Sequence, residues 1–321
     1  MAAQPFSPAW PMGYMQTFGP RADPATALTW GVTLISLAVI AIITLLVVWG
    51  VVARRARGGE LPPVTKREAG HWIWIGLIPT TITLAVSLVW TVAVLAKINS
   101  PASKPAFTLE ITGHQWWWGV RYVFDQPGET FSTANEIHIP VGRPVLVKAM
   151  SADVIHSFWV PALTGKTDTI PGRANIAWLE ADRAGIYRGQ CTEYCGEEHA
   201  GMAVYVVAEP QAAFDAWRQA QQAPASAPAS PQAASGQAIF QAHCAACHEV
   251  RGTDAGGVLG PDLTHVASRA TIASGMLPNT RATLAGWISN PAALKPGVLM
   301  PATELSGPDL NAVTAYVESL K

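Results

Sequence analysis

The sequence predicts a chain of three parts: a pair of membrane-spanning helices, an all-β domain and a small all-α domain. Two long uncharged stretches lie within the first hundred residues. Short β-prone segments separated by Gly and Pro follow, up to about residue 208. A Cys-x-x-Cys-His string then opens the last part of the chain. These three observations together predict a membrane anchor followed by two compact domains.

The composition is apolar for a chain with two compact domains. Half of the 321 residues are apolar and only 13% are charged, whereas soluble proteins carry about a quarter charged residues. The thirteen Trp residues are many, and Trp is enriched at membrane interfaces. The formal net charge of −1 argues against nucleic acid as a partner, because nucleic-acid binders carry a basic surface.

The two uncharged stretches define a predicted transmembrane hairpin over residues 27–97. Residues 27–53 contain no charged side chain, and residues 71–96 contain no Asp, Glu, Lys or Arg. Each stretch exceeds the roughly 20 residues that a helix needs to span a bilayer. Pro79 lies inside the second stretch, where membrane helices tolerate it. Two buried helices of a soluble protein are the alternative, which the length and the lack of charge disfavour.

Basic residues set the predicted orientation of this hairpin. Between the two stretches lie Arg54, Arg55, Arg57, Lys66 and Arg67. The positive-inside rule places this loop in the cytoplasm, so both termini face the periplasm of a bacterial inner membrane. Residues 1–26 then form an outer N-terminal tail. The tail lacks the basic start and apolar core of a signal peptide, and the sequence leaves open whether a leader has been removed.

The segment from residue 105 to residue 209 is predicted to be an antiparallel β-sandwich or barrel. Short strands at regular spacing, separated by Gly and Pro, are typical of those folds. The clearest predicted strands cover residues 108–111, 136–139, 145–149, 176–179 and 204–207.

The rest of the chain divides into a connection, residues 210–235, and a final domain, residues 236–321. Residues 210–222 favour a helix, while residues 223–235 are rich in Ala, Pro and Ser and predict an extended linker. In the final domain we expect one helix that runs into Cys244. A last helix is expected at about residues 308–320, with Ser306 as its N-cap.

Soft ligands are concentrated near the end of the β domain. Cys191, Cys195, His199 and Met202 lie within twelve residues, and His156 lies upstream at the end of a predicted strand. Thiolate, thioether and imidazole together favour copper, whereas zinc sites more often use four Cys or His ligands. This set suits two coppers that both thiolates bridge. One electron shared by two bridged coppers changes the bond lengths little, so the reorganisation on electron transfer is small. The alternative is a Cys191–Cys195 disulfide beside uninvolved His and Met side chains.

The string Cys244-Ala-Ala-Cys247-His248 is the attachment pattern of a c-type haem. Both thiols are expected to bind the haem covalently, and His248 is expected to be an axial ligand. A redox dithiol is the alternative. With this assignment all four cysteines of the chain have a role.

A second axial ligand from Met would leave the iron without an open position and raise its potential. Met300, in the loop before the last helix, is favoured over Met276. His265 offers bis-His ligation as the alternative, and His243 is expected at the surface.

Several strings resemble subunit II of the cytochrome c oxidases from the first span to about residue 208. They are His156-Ser-Phe, Lys166-Thr-Asp168, Pro171-Gly-Arg173 and the stretch from Cys191 to Met202. The resemblance implies a cupredoxin-like all-β barrel that holds a mixed-valence dinuclear copper centre. The loop that contains Met300 is similar to the ligand loop of small class I cytochromes c, which implies a fused all-α cytochrome c domain.

The resemblance also implies how the ligands are shared. In this family Cys191 and Cys195 would bridge the two coppers. His156 and Met202 would complete one copper, and His199 with the main-chain carbonyl of Glu193 would complete the other. The carboxylate of Glu193 would also reach a magnesium ion at the junction with subunit I.

Two further features concern the same family. The stretch His114-Gln-Trp116-Trp117-Trp118 resembles its aromatic strip, which implies that electrons enter at Trp116 and Trp117; a membrane-interface aromatic belt is the alternative. His71 stands where the family usually has a Glu associated with a proton path. His71 is thus either a titrating substitute or an interface residue.

The resemblance implies the function of a subunit that does not itself bind oxygen. Electrons from an external donor would pass through the c-type haem and the copper pair to subunit I, which reduces oxygen to water and translocates protons. Expected partners are subunits I and III, an external cytochrome or other periplasmic carrier, and membrane lipid.

Four other functions compete with this one. The copper subunit of a nitric oxide reductase and a free-standing membrane electron-transfer protein both stay open. Nitrous oxide reductase is disfavoured because it needs a separate His-rich cluster, which eight scattered His do not supply. A quinol oxidase subunit is disfavoured because those subunits lack the copper ligands.

Overall fold

A computed structural model describes residues 12–13, 15–58 and 65–321 of the chain. It divides into a helical unit, Asp23–Ser100, and a second unit that combines Pro101–Lys321 with the tail up to Ala22. The second unit contains a β domain followed by a helical domain. The predicted fold class, two apolar helices followed by an all-β and an all-α domain, is therefore confirmed.

The helical unit consists of α1 (Asp23–Ala56) and α2 (Lys66–Ile98). Both helices are long and apolar enough to cross a membrane, with mean hydropathies of 2.8 and 1.9 in their most apolar windows. Thr65 and Glu68 form a reciprocal capping box that starts α2, which satisfies two backbone N–H groups at the helix end. Helix α2 continues through Pro79 without a break in its assignment.

Ten strands build the β domain as two five-stranded sheets. The first sheet has the order β3-β2-β1-β5-β8 and the second the order β4-β10-β9-β6-β7. The strands are β1 (Thr108–His114), β2 (Trp117–Val123), β3 (Phe131–Ala134), β4 (Glu136–Pro140), β5 (Val145–Ser151), β6 (His156–Trp159), β7 (Thr167–Thr169), β8 (Asn175–Leu179), β9 (Gly185–Cys191) and β10 (Ala203–Glu209).

The five strands predicted most clearly from the sequence are all present, but the expected purely antiparallel pairing is wrong. Strand β1 pairs in parallel with β5, and β4 pairs in parallel with β10. The reason is topological: after β3 the chain crosses to the second sheet to form β4 and returns to the first sheet as β5. A return of this kind brings a strand back beside an earlier one in the same direction.

The space between the sheets is filled by alternate residues of the strands. Leu109 and Ile111 of β1 and Trp118 and Tyr122 of β2 are fully buried there. Each large apolar side chain buried in this way contributes about 1.5–3 kcal/mol. This core fixes the strand ends at which the candidate ligands lie. One local expectation is corrected: His156 begins β6 rather than ending a strand.

Helix α3 (Gln211–Gln222) covers one end of the β domain. Phe214 stacks on Phe107 with a centroid distance of 5.3 Å, and Trp217 stacks on His138 at 4.2 Å. Stacked aromatic pairs contribute about 0.5–1.5 kcal/mol beyond their buried area. The helix is thus fastened to the domain that precedes it.

The predicted extended linker, residues 223–235, is wrong in its second half. Helix α4 begins at Pro231, because Ser230 accepts the N–H of Ala233 and Pro occupies the first helical turn. The first part of the segment is bound as well: the Ala225 N–H donates to the carbonyl of Arg251. Capping chemistry therefore outweighs the Ala/Pro/Ser composition on which the prediction rested, and the last domain begins earlier than residue 236.

The last domain packs a short β-hairpin and four helices. Phe240 of α4 packs edge-on against Tyr316 of α7 at a centroid distance of 5.4 Å. Ser306 caps α7 by accepting the N–H of Asp309, as predicted. Its elements are α4 (Pro231–His243), β11 (Thr271–Ile272), β12 (Leu277–Pro278), α5 (Arg281–Ser289), α6 (Pro291–Leu294) and α7 (Gly307–Ser319).

A buried imidazole holds two carboxylates at the boundary of these two domains. His138 Nδ1 lies 2.9 Å from Glu209 and its Nε2 lies 3.2 Å from Glu136. The other oxygen of Glu136 accepts the N–H of Ala270 from the last domain, at 2.9 Å. Burial alone would lower the pKa of His138, but the hydrogen bonds and charges of both glutamates outweigh it and raise the pKa above its ordinary value.

We predict that replacing His138 by Gln destabilises the β domain more at low pH than at high pH. A raised folded-state pKa gives stability that is complete below the ordinary His pKa and is lost as the pH rises through the folded value. Because a hydrogen bond to a charged group contributes about 1.5–3 kcal/mol, H138Q should lose about that much free energy of unfolding at low pH. Calorimetry from about pH 6 to about pH 9 measures the loss of stability in H138Q. H243Q, at an exposed site, is the control. A deficit independent of pH, or an equal deficit in H243Q, would contradict the assignment.

Candidate metal centre and haem site

Five candidate ligand side chains come together at one end of the β domain. The sulfur atoms of Cys191 and Cys195 lie 3.7 Å apart. His156 Nδ1 is 3.9 Å from the sulfur of Cys191, and His199 Nδ1 is 3.5 Å from that of Cys195. Met202 Sδ is 4.0 Å from Cys195 Sγ. The separation of the two sulfurs exceeds a disulfide bond of about 2.05 Å, so the chain presents two thiols within reach of two imidazoles and a thioether.

Strand pairing explains why residues distant in sequence meet here. Cys191 ends β9 and is paired with Phe158 of β6, so His156 at the start of β6 lies beside it. The eleven residues up to Met202 form the connection to β10, and the Cys191 N–H donates to the carbonyl of Met202. Within this connection the Glu193 carbonyl lies 3.3 Å from the sulfur of Cys191. The carboxylate-bearing side chain of Glu193 is exposed.

The two thiols are electrostatically coupled. A hydrogen bond from Cys195 is the main cause that lowers the pKa of Cys191 well below its ordinary value, and His156 adds to it against the effect of burial. The same interaction raises the pKa of Cys195. The geometry therefore favours a thiolate at Cys191, and a bound metal ion would favour deprotonation of both sulfurs.

Asp153 orients His156 and was not identified from the sequence. Its carboxylate lies 2.7 Å from His156 Nε2 and also accepts the backbone N–H groups of Gln115 and Val154. Occupying Nε2 turns Nδ1 of the ring toward Cys191. A carboxylate behind a ligand His is the usual way in which proteins fix its tautomer, and the three-residue spacing from His156 was the available signal.

The aromatic strip is part of the β domain rather than a membrane belt. Trp118 is fully buried in the core and Trp116 is buried beside the candidate ligands. The indole N–H of Trp116 donates to the Cys195 carbonyl at 3.0 Å, while Trp117 stacks on His114 at 4.1 Å. The alternative of an interfacial belt is therefore wrong for Trp116 and Trp118.

The Cys-x-x-Cys-His string forms a turn at the end of α4. Cys244 caps that helix, and its carbonyl accepts the N–H groups of Cys247 and His248 at 3.0 Å. His248 Nδ1 lies 2.9 Å from the carbonyl of Pro261, so this contact favours the tautomer in which Nδ1 donates and Nε2 stays free to accept a bond. Burial lowers the pKa of His248, which favours the neutral imidazole that binds a metal. Burial also raises the pKa of Cys244 to about 11.

The other candidate haem ligands occupy different surroundings. Met300 is half-buried in the loop before α7. Met276 instead faces the β domain: its sulfur is 2.7 Å from where a Cβ on Gly201 would lie. Both ring nitrogens of His265 face backbone carbonyls, those of Lys321 and Ala223, at 2.8 and 2.9 Å. These hydrogen bonds occupy both ring nitrogens and disfavour bis-His ligation through His265, and His243 is exposed as expected.

We predict that Gly113→Ala disturbs His156 selectively. A Cβ at Gly113 would lie 2.6 Å from Cδ2 and 2.9 Å from Cγ of the His156 ring, so the ring or the strand must shift. Overpacking of this kind costs about 1–3 kcal/mol. Gly165 is the matched control, since a Cβ there meets nothing within 4 Å. Thermal unfolding of G113A and G165A measures the difference, and equal midpoints would contradict the packing described here.

Family models match separate ranges in the β domain and in the last domain. A family model described as the periplasmic domain of cytochrome c oxidase subunit II matches residues 125–209. A second model, described as cytochrome c, matches residues 233–321. A solved structure of the periplasmic domain of a Bradyrhizobium japonicum cytochrome oxidase subunit II is 31% identical. It covers 38% of this chain and 97% of that one, with a TM-score of 0.35.

Two curated relatives extend the similarity over nearly the whole chain. Cytochrome c oxidase subunit 2 of Alkalihalophilus pseudofirmus is 35% identical over 298 residues, which cover 90% of this chain and 85% of the relative. Cytochrome c oxidase subunit 2 of Bacillus sp. strain PS3 is 32% identical over 289 residues, covering 83% and 80%. With its two apolar helices, its thiol-rich β domain and its C-terminal cytochrome c domain, the chain belongs to the cytochrome c oxidase subunit II family.

Proposed function

We propose that this chain is the subunit of a haem–copper terminal oxidase at which electrons enter. It takes electrons from an external donor at a c-type haem and passes them through a dinuclear copper centre to subunit I. There, oxygen is reduced to water and protons are translocated. The observation that carries this proposal is the gathering of two imidazoles and a thioether around two buried thiols. These lie in the same compact unit as a haem attachment string.

The donor set of the β domain fits a pair of coppers. Cys191 and Cys195 would bridge the metals; His156 and Met202 would complete one, and His199 with the carbonyl of Glu193 the other. Soft sulfur and imidazole donors without an open position suit a copper relay, which when bound supplies one-electron transfer with little change in geometry. The two thiols and Met202 are at most 3% exposed, which would keep water from metals held there.

The last domain fits a covalently bound haem. Cys244 and Cys247 would form the thioether bonds, and His248 would bind the iron through Nε2 while its Nδ1–H donates to Pro261. A bound haem supplies one-electron redox chemistry at a potential that the axial ligands set. The packing of Met276 against the β domain supports Met300 as the second axial ligand.

Trp116 is the favoured residue for electron passage into the copper domain, the name used from here for the β domain. Its ring is buried, and its N–H donates to the backbone of Cys195, one proposed bridging ligand. Trp117 stacks on His114 instead and lacks that bond. Buried contact through a hydrogen bond to a ligand backbone supports Trp116 over Trp117.

Membership of this family supports a proposal for the membrane position and the subunit contacts. We place the chain in a bacterial inner membrane, with both termini and both compact domains in the periplasm. The Phe18 N–H donates to the carbonyl of Ala162, and Arg21 donates to Thr164 and Trp178. The N-terminal tail and the copper domain therefore share one compartment. The exposed carboxylate of Glu193 is available to a magnesium ion at the contact with subunit I, and subunit III and membrane lipid are further expected partners.

We predict that the two cofactors can be lost separately. Cys191→Ser should lower the copper content of the complex to that of subunit I alone while the c-type haem spectrum stays intact, because the thiolates bind copper in this chain and the haem is attached elsewhere. The double variant C244S/C247S should show the reverse. Metal analysis and optical spectra of the purified complex measure both, together with consumption of oxygen and of nitric oxide. Wild-type copper in C191S would refute the copper site; consumption of nitric oxide but not oxygen would favour a nitric oxide reductase.

We predict that Met300→Ala and Met276→Ala differ in the haem spectrum. Loss of an axial thioether leaves the iron five-coordinate or water-bound and lowers its potential. M300A should therefore lose the weak far-red sulfur-to-iron absorption of the oxidised haem, and M276A should keep it. Redox titration of both variants measures the potentials. Loss of this absorption in M276A alone would reverse the assignment.

A further inference from the structure

The cytochrome domain, residues 231–321, is bound to the copper domain by a small set of specific hydrogen bonds. The ammonium group of Lys295 donates to the carbonyls of Trp116 and Gly201, each at 2.8 Å. The Ser274 hydroxyl donates to the same Trp116 carbonyl at 2.7 Å. In return, the N–H of Ala203 donates to the carbonyl of Ser274 at 3.1 Å. These hydrogen bonds end on defined backbone groups and so fix the position of one domain against the other.

Lys295 is an unusual residue to find at such a contact. Its side chain is only 1% exposed, and burying an ammonium group is unfavourable unless it is well hydrogen-bonded. Burial lowers the pKa of Lys295 to about 8, against the attraction of Glu198 and Cys195. Within the described part of the chain, both hydrogen bonds of the ammonium group end on copper-domain carbonyls. Its burial therefore makes physical sense only while the two domains are in contact.

Both carbonyls that bind Lys295 adjoin the proposed copper ligands. Gly201 precedes Met202 directly in the chain, and the Trp116 ring donates its N–H to the carbonyl of Cys195. On the cytochrome side, Lys295 begins the loop that reaches Met300 five residues later. The same side chain thus connects the loop of the proposed haem ligand to the backbone around the proposed copper ligands.

The loop after Lys295 is shaped to lie against Trp116. Gly297 has a positive φ of 81°, and a Cβ there would lie 3.2 Å from Cη2 of Trp116 and 2.7 Å from a carboxylate oxygen of Glu197. Glycine allows both this backbone conformation and the close approach. The loop can therefore rest directly on the indole ring.

We propose that Lys295 is a positioning residue that docks the cytochrome domain over Trp116 and so sets the separation of the two redox centres. This inference rests on the proposed function. In the transfer it supports, the iron goes from ferrous to ferric and the oxidised copper pair gains that one electron. The transfer makes or breaks no bond and moves no proton. Lys295 itself exchanges nothing, and it acts through geometry alone.

The test compares Lys295→Met with Lys321→Met in the intact, purified oxidase complex. Met keeps the length of the side chain but has no donor, and the side chain of Lys321 lies at the exposed C-terminus of the same domain. Flash-induced electron transfer from haem to copper should slow about tenfold or more in K295M, because small displacements of redox partners cost large factors in rate. K321M should match the wild type.

Amide hydrogen exchange gives a readout that does not depend on activity. The N–H groups of Ala203 and Ala270 bond across the domain contact, to Ser274 and Glu136, and should exchange about tenfold faster in K295M if docking is weakened. Ser274→Ala removes a second donor from the same Trp116 carbonyl and is the milder variant if K295M folds poorly. It should show the same two effects to a smaller degree.

The outcomes separate this inference from the proposed function. Copper, haem and both midpoint potentials should be retained in K295M, so that a slower transfer is assigned to position. Normal transfer and normal exchange in K295M would overturn the role of Lys295 but leave the proposed function standing. Slower transfer with unchanged exchange would also overturn it, because docking would be intact. Absence of haem-to-copper transfer in the wild type would instead refute the proposed function.

Discussion

Two thiols held a few ångströms apart, buried yet not joined by a disulfide, are the constraint on which this molecule depends. Buried polar and ionisable groups are unfavourable unless partners satisfy them, and here nearly every nearby element supplies one. Strand β6 brings His156, the connection before β10 brings His199 and Met202, and Trp116 secures the backbone at Cys195. The two sheets serve as the rigid support that keeps these loops in register.

Local sequence signals predicted the features that depend on neighbours in the chain. The apolar helices, the main strands, the Ser306 cap and both cysteine strings have patterns that extend over a few residues. The candidate copper ligands were also found in this way, because four of them lie within one short segment. His156 was the only distant ligand, and the family resemblance as well as its residue type identified it.

Contacts between remote segments could not be predicted in the same way. Lys295 gives no sign in the sequence that it is buried, because the carbonyls of Trp116 and Gly201 that it contacts lie 179 and 94 residues away. The parallel strand pairs depend on how the chain crosses between sheets, which residue periodicity does not encode. The predicted linker is wrong from residue 231 onward because Ser230 and Pro231 start a helix there, a local signal stronger than the Ala/Pro/Ser composition.

The hydrogen bonds of His265 have a consequence for how such a chain is assembled from modules. One imidazole touches the carbonyl of Ala223, in the segment that leads into the cytochrome domain, and the carbonyl of Lys321, just after helix α7. The segment that enters the domain and the segment that follows its last helix therefore lie within the width of a single ring. A module whose beginning and end meet in space can be joined to a host through a short connection with little distortion of either partner.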